Sequence, residues 1–145
     1  MPEPNSMNTG KGREFQRKAA DILSRHFGIT FQIEIPIPIG KPPKEHKFDL
    51  VSADQQYVGE SKNYSWTETG NVPSAKMGFI NEAVFYLKHL PTEKKRFVVL
   101  RKDVHARHQE SLAEYYYRTN KHLLNGVFIV EIDLGNGKVR EFGRS

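Results

Sequence analysis

The feature that most constrains the fold is a pair of short, uninterrupted apolar runs with a helical pattern between them. Residues 97–100 and 127–130 contain no polar side chain, and short runs without alternation are typical of strands buried on both faces of a sheet. The intervening segment, 107–124, carries its apolar residues on one side of a helix: Leu112, Tyr115, Tyr116 and Leu123. These patterns predict an α/β layered domain with a central mixed sheet flanked by helices.

The other segments extend this prediction to the element order α-β-β-β-α-β-α-β-β. Apolar spacing and end signals predict helices over 12–28 and 74–90, and strands over 30–35, 47–52, 56–63, 97–100, 127–132 and 139–142. Pro36 and Pro38 are expected to end the first strand or to place it at an edge. Residues 1–11 show no periodicity, so we predict a flexible N-terminal tail before a single domain over 12–145.

Composition excludes several classes of site. The chain has no cysteine, which rules out disulfides, cysteine metal sites and a cysteine nucleophile. No apolar run approaches the ~18 residues of a membrane span, and the first residues lack the pattern of a secretory signal. We therefore expect a cytoplasmic protein without a membrane partner. The segment 10–12, Gly-Lys-Gly, lacks the Walker spacing, so no nucleotide cofactor is expected.

Chemistry is concentrated in the hairpin predicted over 47–63. If Asp54 and Gln55 form its loop, Val51 pairs with Val58, and Asp49 lies directly opposite Glu60. Directly opposed carboxylates destabilise a strand pair, and a shared divalent cation is one reason for them, since carboxylate oxygens are natural ligands of hard ions. Without a metal, one of the two carboxyl groups should have a strongly raised pKa.

Lys62 belongs to the same arrangement, because it lies two residues after Glu60 and projects from the same face. Glu-x-Lys triplets occur three times, at 45–47, 60–62 and 93–95. Only the triplet at 60–62 lies within an apolar strand and faces a carboxylate. The alternative interpretation is that Glu60 and Lys62 form an edge-strand pair on a solvated face.

These residues carry a resemblance to a known family. Gly-Arg-Glu-Phe at 12–15, Phe-Asp-Leu-Val at 48–51 and Tyr-Val-Gly-Glu-Ser-Lys at 57–62 resemble the motifs of the PD-(D/E)XK nuclease superfamily, which includes restriction-endonuclease-like enzymes and archaeal Holliday junction resolvases. The element order over 12–100 is similar to the αβββαβ core of that family. The resemblance covers most of the chain and implies a restriction-endonuclease-like fold.

The resemblance implies roles for individual residues. Asp49 and Glu60 would bind Mg²⁺, for which Mn²⁺ can substitute, and Lys62 would lie beside the attacking water. Glu14, in the first helix, would complete the acidic cluster. Apart from the resemblance, the Ser61 backbone carbonyl is a candidate for a further metal ligand. The chain departs from the family pattern at Phe48, where a proline is often found. It also lacks the glutamine that some branches carry after the motif lysine; the nearest polar candidates are Asn71, Asn81 and Glu82.

The charge distribution indicates a polyanionic partner. The chain has 22 Lys and Arg against 17 Asp and Glu, and the whole excess lies in 88–122. We name its candidate phosphate contacts the basic window: Lys94, Lys95, Arg101, Lys102, Arg107, Arg118 and Lys121. Trp66, in the loop after Lys62, is a candidate for stacking an unpaired base, and capping the sheet edge is an equal alternative.

The combined prediction is a magnesium-dependent endonuclease that hydrolyses phosphodiester bonds of DNA. A two-fold homodimer would place two sites on two strands, although nothing in the sequence requires it. The first alternative is a non-catalytic nucleic-acid-binding module on the same fold. The second is a partner of another protein, which the basic window does not favour.

Overall fold

The computed structural model describes residues 5–144, with side chains from residue 10 onward. Three helices and six strands follow one another in the predicted order. They are α1 (Asn5–Phe27), β1 (Phe31–Ile39), β2 (Lys44–Ser52), β3 (Tyr57–Lys62), α2 (Ser74–Leu87), β4 (Lys95–Arg101), α3 (Leu112–Asn120), β5 (Phe128–Ile132) and β6 (Val139–Phe142), with a 3₁₀ turn at Lys121–Leu123 after α3.

The six strands form one mixed sheet in chain order. β2 is antiparallel to both of its neighbours, β1 and β3. β3, β4 and β5 are parallel, and β6 is antiparallel to β5. The two parallel pairs need crossover connections, which α2 and α3 supply. The fold is therefore α/β, as the apolar runs of β4 and β5 predict. Within the described residues, no helix is long and apolar enough to cross a membrane.

The helices cover the two faces of the sheet unequally. α1 packs on one face, which we call the α1 face, through a stripe at helical spacing that includes Phe15, Ala19 and Leu23. α2 and α3 cover the other face, which we call the α2 face, with buried residues such as Ile80 and Tyr116. Each such buried large side chain contributes about 1.5–3 kcal/mol relative to exposure.

Three element boundaries differ most from the sequence prediction. α1 begins at Asn5, so residues 5–11, predicted as part of the tail, continue the helix, and residues 1–4 lie outside the described residues. β1 continues through Pro36 and Pro38 to Ile39, because β1 pairs only with β2 and its other edge needs no N–H donor. α3 begins at Leu112 because Ser111 forms a capping box with Glu114.

The β1–β2 ribbon changes face partway along its length. Ile33 pairs with Leu50, and both side chains pack on the α1 face. Ile35 pairs with Phe48 two residues further along, and both of these side chains pack on the α2 face. Strict alternation would keep residues two apart on one face. The change occurs at Glu34, whose φ is +56°. The outer half of the ribbon therefore presents to α2 the side chains that simple alternation assigns to α1.

Candidate active site

Asp49 and Glu60 lie beside each other in the structure. Leu50 pairs with Gly59 and Val51 with Val58, which is the register that the sequence predicts for the hairpin. The regular pairing ends there, and the Asp49 Oδ2 accepts a hydrogen bond from the Ser61 N–H at 2.8 Å. Asp49 is also held from the α1 face, since the Gln16 side chain donates to its backbone carbonyl at 3.0 Å.

Glu60 is a buried carboxyl group in the middle of the sheet. Its exposed fraction is 6%, and the apolar Val58 in β3 and Val98 in β4 lie next to it. The pKa of Glu60 is raised to about 10. Burial makes the largest contribution, followed by the hydrogen bond to Asp49 and the negative charge of Asp49, while the charge of Lys62 opposes the shift. The pair therefore holds a proton at neutral pH, as two opposed carboxylates without a metal are expected to do.

Lys62 lies at the end of β3, on the same side of the strand as Glu60. Its parallel partner in β4 is Leu100, and it is half-buried. Its positive charge acts on both Glu60 and His46. The structure thus brings Asp49, Glu60 and Lys62 together, with the Ser61 backbone between the two β3 side chains.

His46 is a member of the site that the sequence analysis did not identify. Its Nε2 lies 2.9 Å from the Glu60 Oε1, and its ring stacks on Tyr86 of α2 at 4.1 Å between centroids and 14° between planes. Burial lowers the pKa of His46, while the charges of Asp49 and Glu82 raise it. The only sequence signal was its position in the triplet at 45–47, and strict alternation from Leu50 would place residue 46 on the α1 face.

Tyr64 lies within electrostatic range of Asp49, and Glu82 lies within electrostatic range of Tyr64 and His46. Burial raises the pKa of Tyr64, with contributions from the charges of Asp49 and Glu82. The Lys76 ammonium lies 5.3 Å from the centre of the Tyr64 ring. Glu82 of α2, one of the polar candidates named from the sequence, therefore faces this end of the sheet.

Glu14 is not brought to the acid pair by any described contact. It lies on an exposed part of α1 and forms an ion pair with Lys18 at 2.9 Å, one turn further along the same helix. The hydrogen bond and charge of Lys18 lower the pKa of Glu14. A glutamate in this position is satisfied by its own helix, so its predicted role in metal binding has no geometric support here.

The basic window is divided between different parts of the molecule. Lys95 lies beside Tyr57 at the start of the parallel strands, whereas Lys62 lies beside Leu100 at their other end. Five residues of strand separate the two ends by roughly 16 Å. Lys94 donates to the Gln55 carbonyl, so it also belongs to the distant end.

The remaining basic residues are partly occupied by neighbours. Arg101 donates to Asn63 at 2.8 Å and to Ser65, and Arg107 donates to the Thr69 carbonyl at 2.7 Å. Arg118 forms a two-point ion pair with Glu110. Lys102 directly follows β4, and Lys121 lies exposed after α3. The residues of the basic window therefore do not form one continuous patch on the surface.

Trp66 is not available as a stacking platform. Only 5% of it is exposed, and its ring already stacks on His108 at 3.7 Å between centroids. The backbone N–H of Trp66 donates to the Asp103 carboxylate at 2.9 Å. Trp66 instead anchors the loop after β3 against the loop before α3, which corrects the prediction that it meets an unpaired base.

The donor set fits a hard divalent ion bound partly through water. Mg²⁺ typically takes one or two carboxylates, with waters and substrate phosphate completing its ligands. Asp49 and Glu60 supply two carboxyl groups, and the buried proton that they share is the group that a cation would replace. In the part of the chain that the structure describes, no group of three or more His, Asp or Glu side chains is placed to hold a metal ion.

Comparisons with known proteins add no relative. The chain matches no family model, no curated protein and no solved structure at a significant level.

Proposed function

We propose that this protein is a divalent-metal-dependent endonuclease that hydrolyses phosphodiester bonds of DNA. One observation carries the proposal: Asp49 and a buried Glu60 face each other at the point where β2 and β3 separate, with Lys62 next to them. A stable fold gains nothing from burying a carboxyl group against another one. The element order and the strand positions of these three residues further support a restriction-endonuclease-like arrangement.

Each residue has a task in this reaction. Bound Mg²⁺ would neutralise the scissile phosphate and lower the pKa of a water molecule. Asp49 and Glu60 would hold the ion, and the Ser61 N–H fixes the orientation of the Asp49 carboxylate. Lys62, as an ammonium group, orients the attacking water and offsets the negative charge that develops on the phosphate in the transition state. His46 holds the outer oxygen of Glu60.

The test is nicking of supercoiled plasmid by purified protein, with magnesium or manganese against EDTA. Lys62→Ala is the test variant. Lys47→Ala is its matched control, because Lys47 is an exposed lysine in another Glu-x-Lys triplet. We expect metal-dependent nicking by the native protein and by Lys47→Ala, and a loss of at least 100-fold in Lys62→Ala, since one electrostatic group typically supplies this much.

The outcomes separate the candidate functions. Nicking that survives in Lys62→Ala would show that the activity arises elsewhere. Salt-dependent DNA binding without cleavage in either metal, strengthened by Asp49→Ala, would identify a non-catalytic binding module instead.

A further inference from the structure

A cleft of about 350 Å³ adjoins the acid pair on the α2 face. It opens between the turn end of the β1–β2 ribbon and the second half of α2, and its volume falls within the ~300–1,000 Å³ of small-ligand sites. His46 forms part of its wall. Because the same imidazole contacts Glu60 at 2.9 Å, only one side chain separates the cleft from the candidate metal ligands.

The cleft has aromatic walls in a fixed arrangement. Tyr86 stacks on His46, and Phe85 meets Tyr86 and His89 edge to face, at 6.0 Å and 4.9 Å between centroids. Phe85 nevertheless remains 60% exposed. A large aromatic side chain that stays in water while its neighbours pack is available to a flat ligand.

The charges at the cleft favour an anionic chain over an apolar peptide. Lys44 and Glu45 line it with opposite charges, and the rings of His46 and His89 add nitrogens that can hydrogen-bond. Lys41, in the turn of the ribbon, adds a further exposed cation at this end. Aromatic rings beside cations are the combination that binds single-stranded nucleic acid, the rings stacking on bases and the cations meeting phosphates.

We propose that this cleft binds one unpaired nucleobase of the substrate strand, stacked on Phe85 and next to the phosphate positioned by Asp49, Glu60 and Lys62. This proposal rests on the proposed nuclease function and deepens it, because it assigns a substrate class. A paired base cannot enter a cleft of this kind without leaving its stack. The preferred substrate is therefore DNA with a single-stranded or locally unpaired segment at the cleavage site.

The test separates base binding from phosphate binding. Fluorescence anisotropy at low salt in EDTA compares a labelled oligodeoxythymidine of about 12 nucleotides with an abasic phosphodiester chain of equal length. We expect the native protein to bind the thymidine chain about 5-fold to 150-fold more tightly, the range typical of replacing one stacking residue by alanine. Phe85→Ala should bind both chains alike.

Phe79→Ala is the matched control. Phe79 lies on the same helix, is 51% exposed and does not line the cleft, so this variant should keep the native preference for bases. Thermal unfolding of both variants checks that neither substitution of an exposed ring disturbs the fold. Sedimentation at the same concentrations checks whether either ring belongs to a contact between two copies of the chain.

The outcomes distinguish this proposal from the nuclease proposal. A native protein that nicks plasmid but binds both chains equally overturns the base site and leaves the nuclease intact. Equal losses in Phe79→Ala and Phe85→Ala also overturn it, as does a change of oligomeric state in Phe85→Ala with the base preference unchanged. A protein that neither nicks DNA nor binds either chain overturns both proposals.

Discussion

Replacing Glu60 by glutamine should make the metal-free protein more stable. The substitution keeps the shape of the side chain and its capacity to hydrogen-bond with Asp49 and His46. It removes the ionisation that the buried position opposes. In the folded chain the pKa of Glu60 is raised from 4.5 to about 10, so the folded protein binds more protons than the unfolded chain between these two values.

The sign and size of the effect follow from this difference. Below pH 4.5 the Glu60 carboxyl group is protonated in both the folded and the unfolded state, so it does not reduce the free energy of unfolding. As the pH rises towards about 10, the unfolded chain releases this proton and the folded protein keeps it, so the free energy of unfolding falls. At pH 7.5 the difference spans about three pKa units, each equivalent to about 1.4 kcal/mol. The upper limit is therefore about 4 kcal/mol of stability lost by the native protein and retained by Glu60→Gln.

Urea unfolding in EDTA at several pH values between 5 and 9 measures this effect. We expect the free energy of unfolding to fall with pH in the native protein and to change much less in Glu60→Gln. Magnesium should then stabilise the native protein, because it binds only the folded state, and should have little effect on the variant. Equal stabilities and equal pH slopes in EDTA would refute the argument that Glu60 is a strained, metal-binding carboxyl group.

Two further predictions test how the strands position the site. Gly59→Ala should destabilise the fold by about 1–3 kcal/mol, because a Cβ at Gly59 would lie 2.4 Å from the Phe97 ring; urea unfolding measures this, and Gly78→Ala, in open space on α2, is a control that should not destabilise. Glu34→Gly should stabilise the fold by roughly 0.5–1 kcal/mol, since its φ of +56° strains a residue with a Cβ. Glu45→Gly, on the partner strand, is the control and should destabilise the ribbon. If thermal unfolding shows that both substitutions reduce stability, the proposal that Glu34 is strained would be wrong.

Local sequence patterns were sufficient to predict the order of the helices and strands and the opposition of Asp49 and Glu60. Alternation and helical spacing predict the element order, and the turn at Asp54 and Gln55 predicts the register that opposes Asp49 and Glu60. The two strands are joined by a short loop, so their pairing depends only on nearby residues. The raised pKa of Glu60 then follows from the register and from the apolar strand around it.

Other parts of the site depend on contacts between distant segments. His46 reaches Glu60 because the ribbon changes face at Glu34, and a positive φ at a glutamate has no signal in the sequence pattern. The parallel pairing of β3 with β4 decides which end of the sheet each lysine of the basic window occupies. Trp66 lies in the interior because the loop before α3 covers it.

The sequence by itself therefore determined the α/β class, the order of elements and the opposition of two carboxylates, because each of these follows from the period of the backbone and the position of a turn. Only the tertiary structure decided which face His46 occupies, whether Trp66 meets solvent, and how the cleft at Phe85 adjoins Glu60. These features depend on how α2 and the β1–β2 ribbon pack across the sheet, and packing is set by long-range contacts that no local pattern encodes.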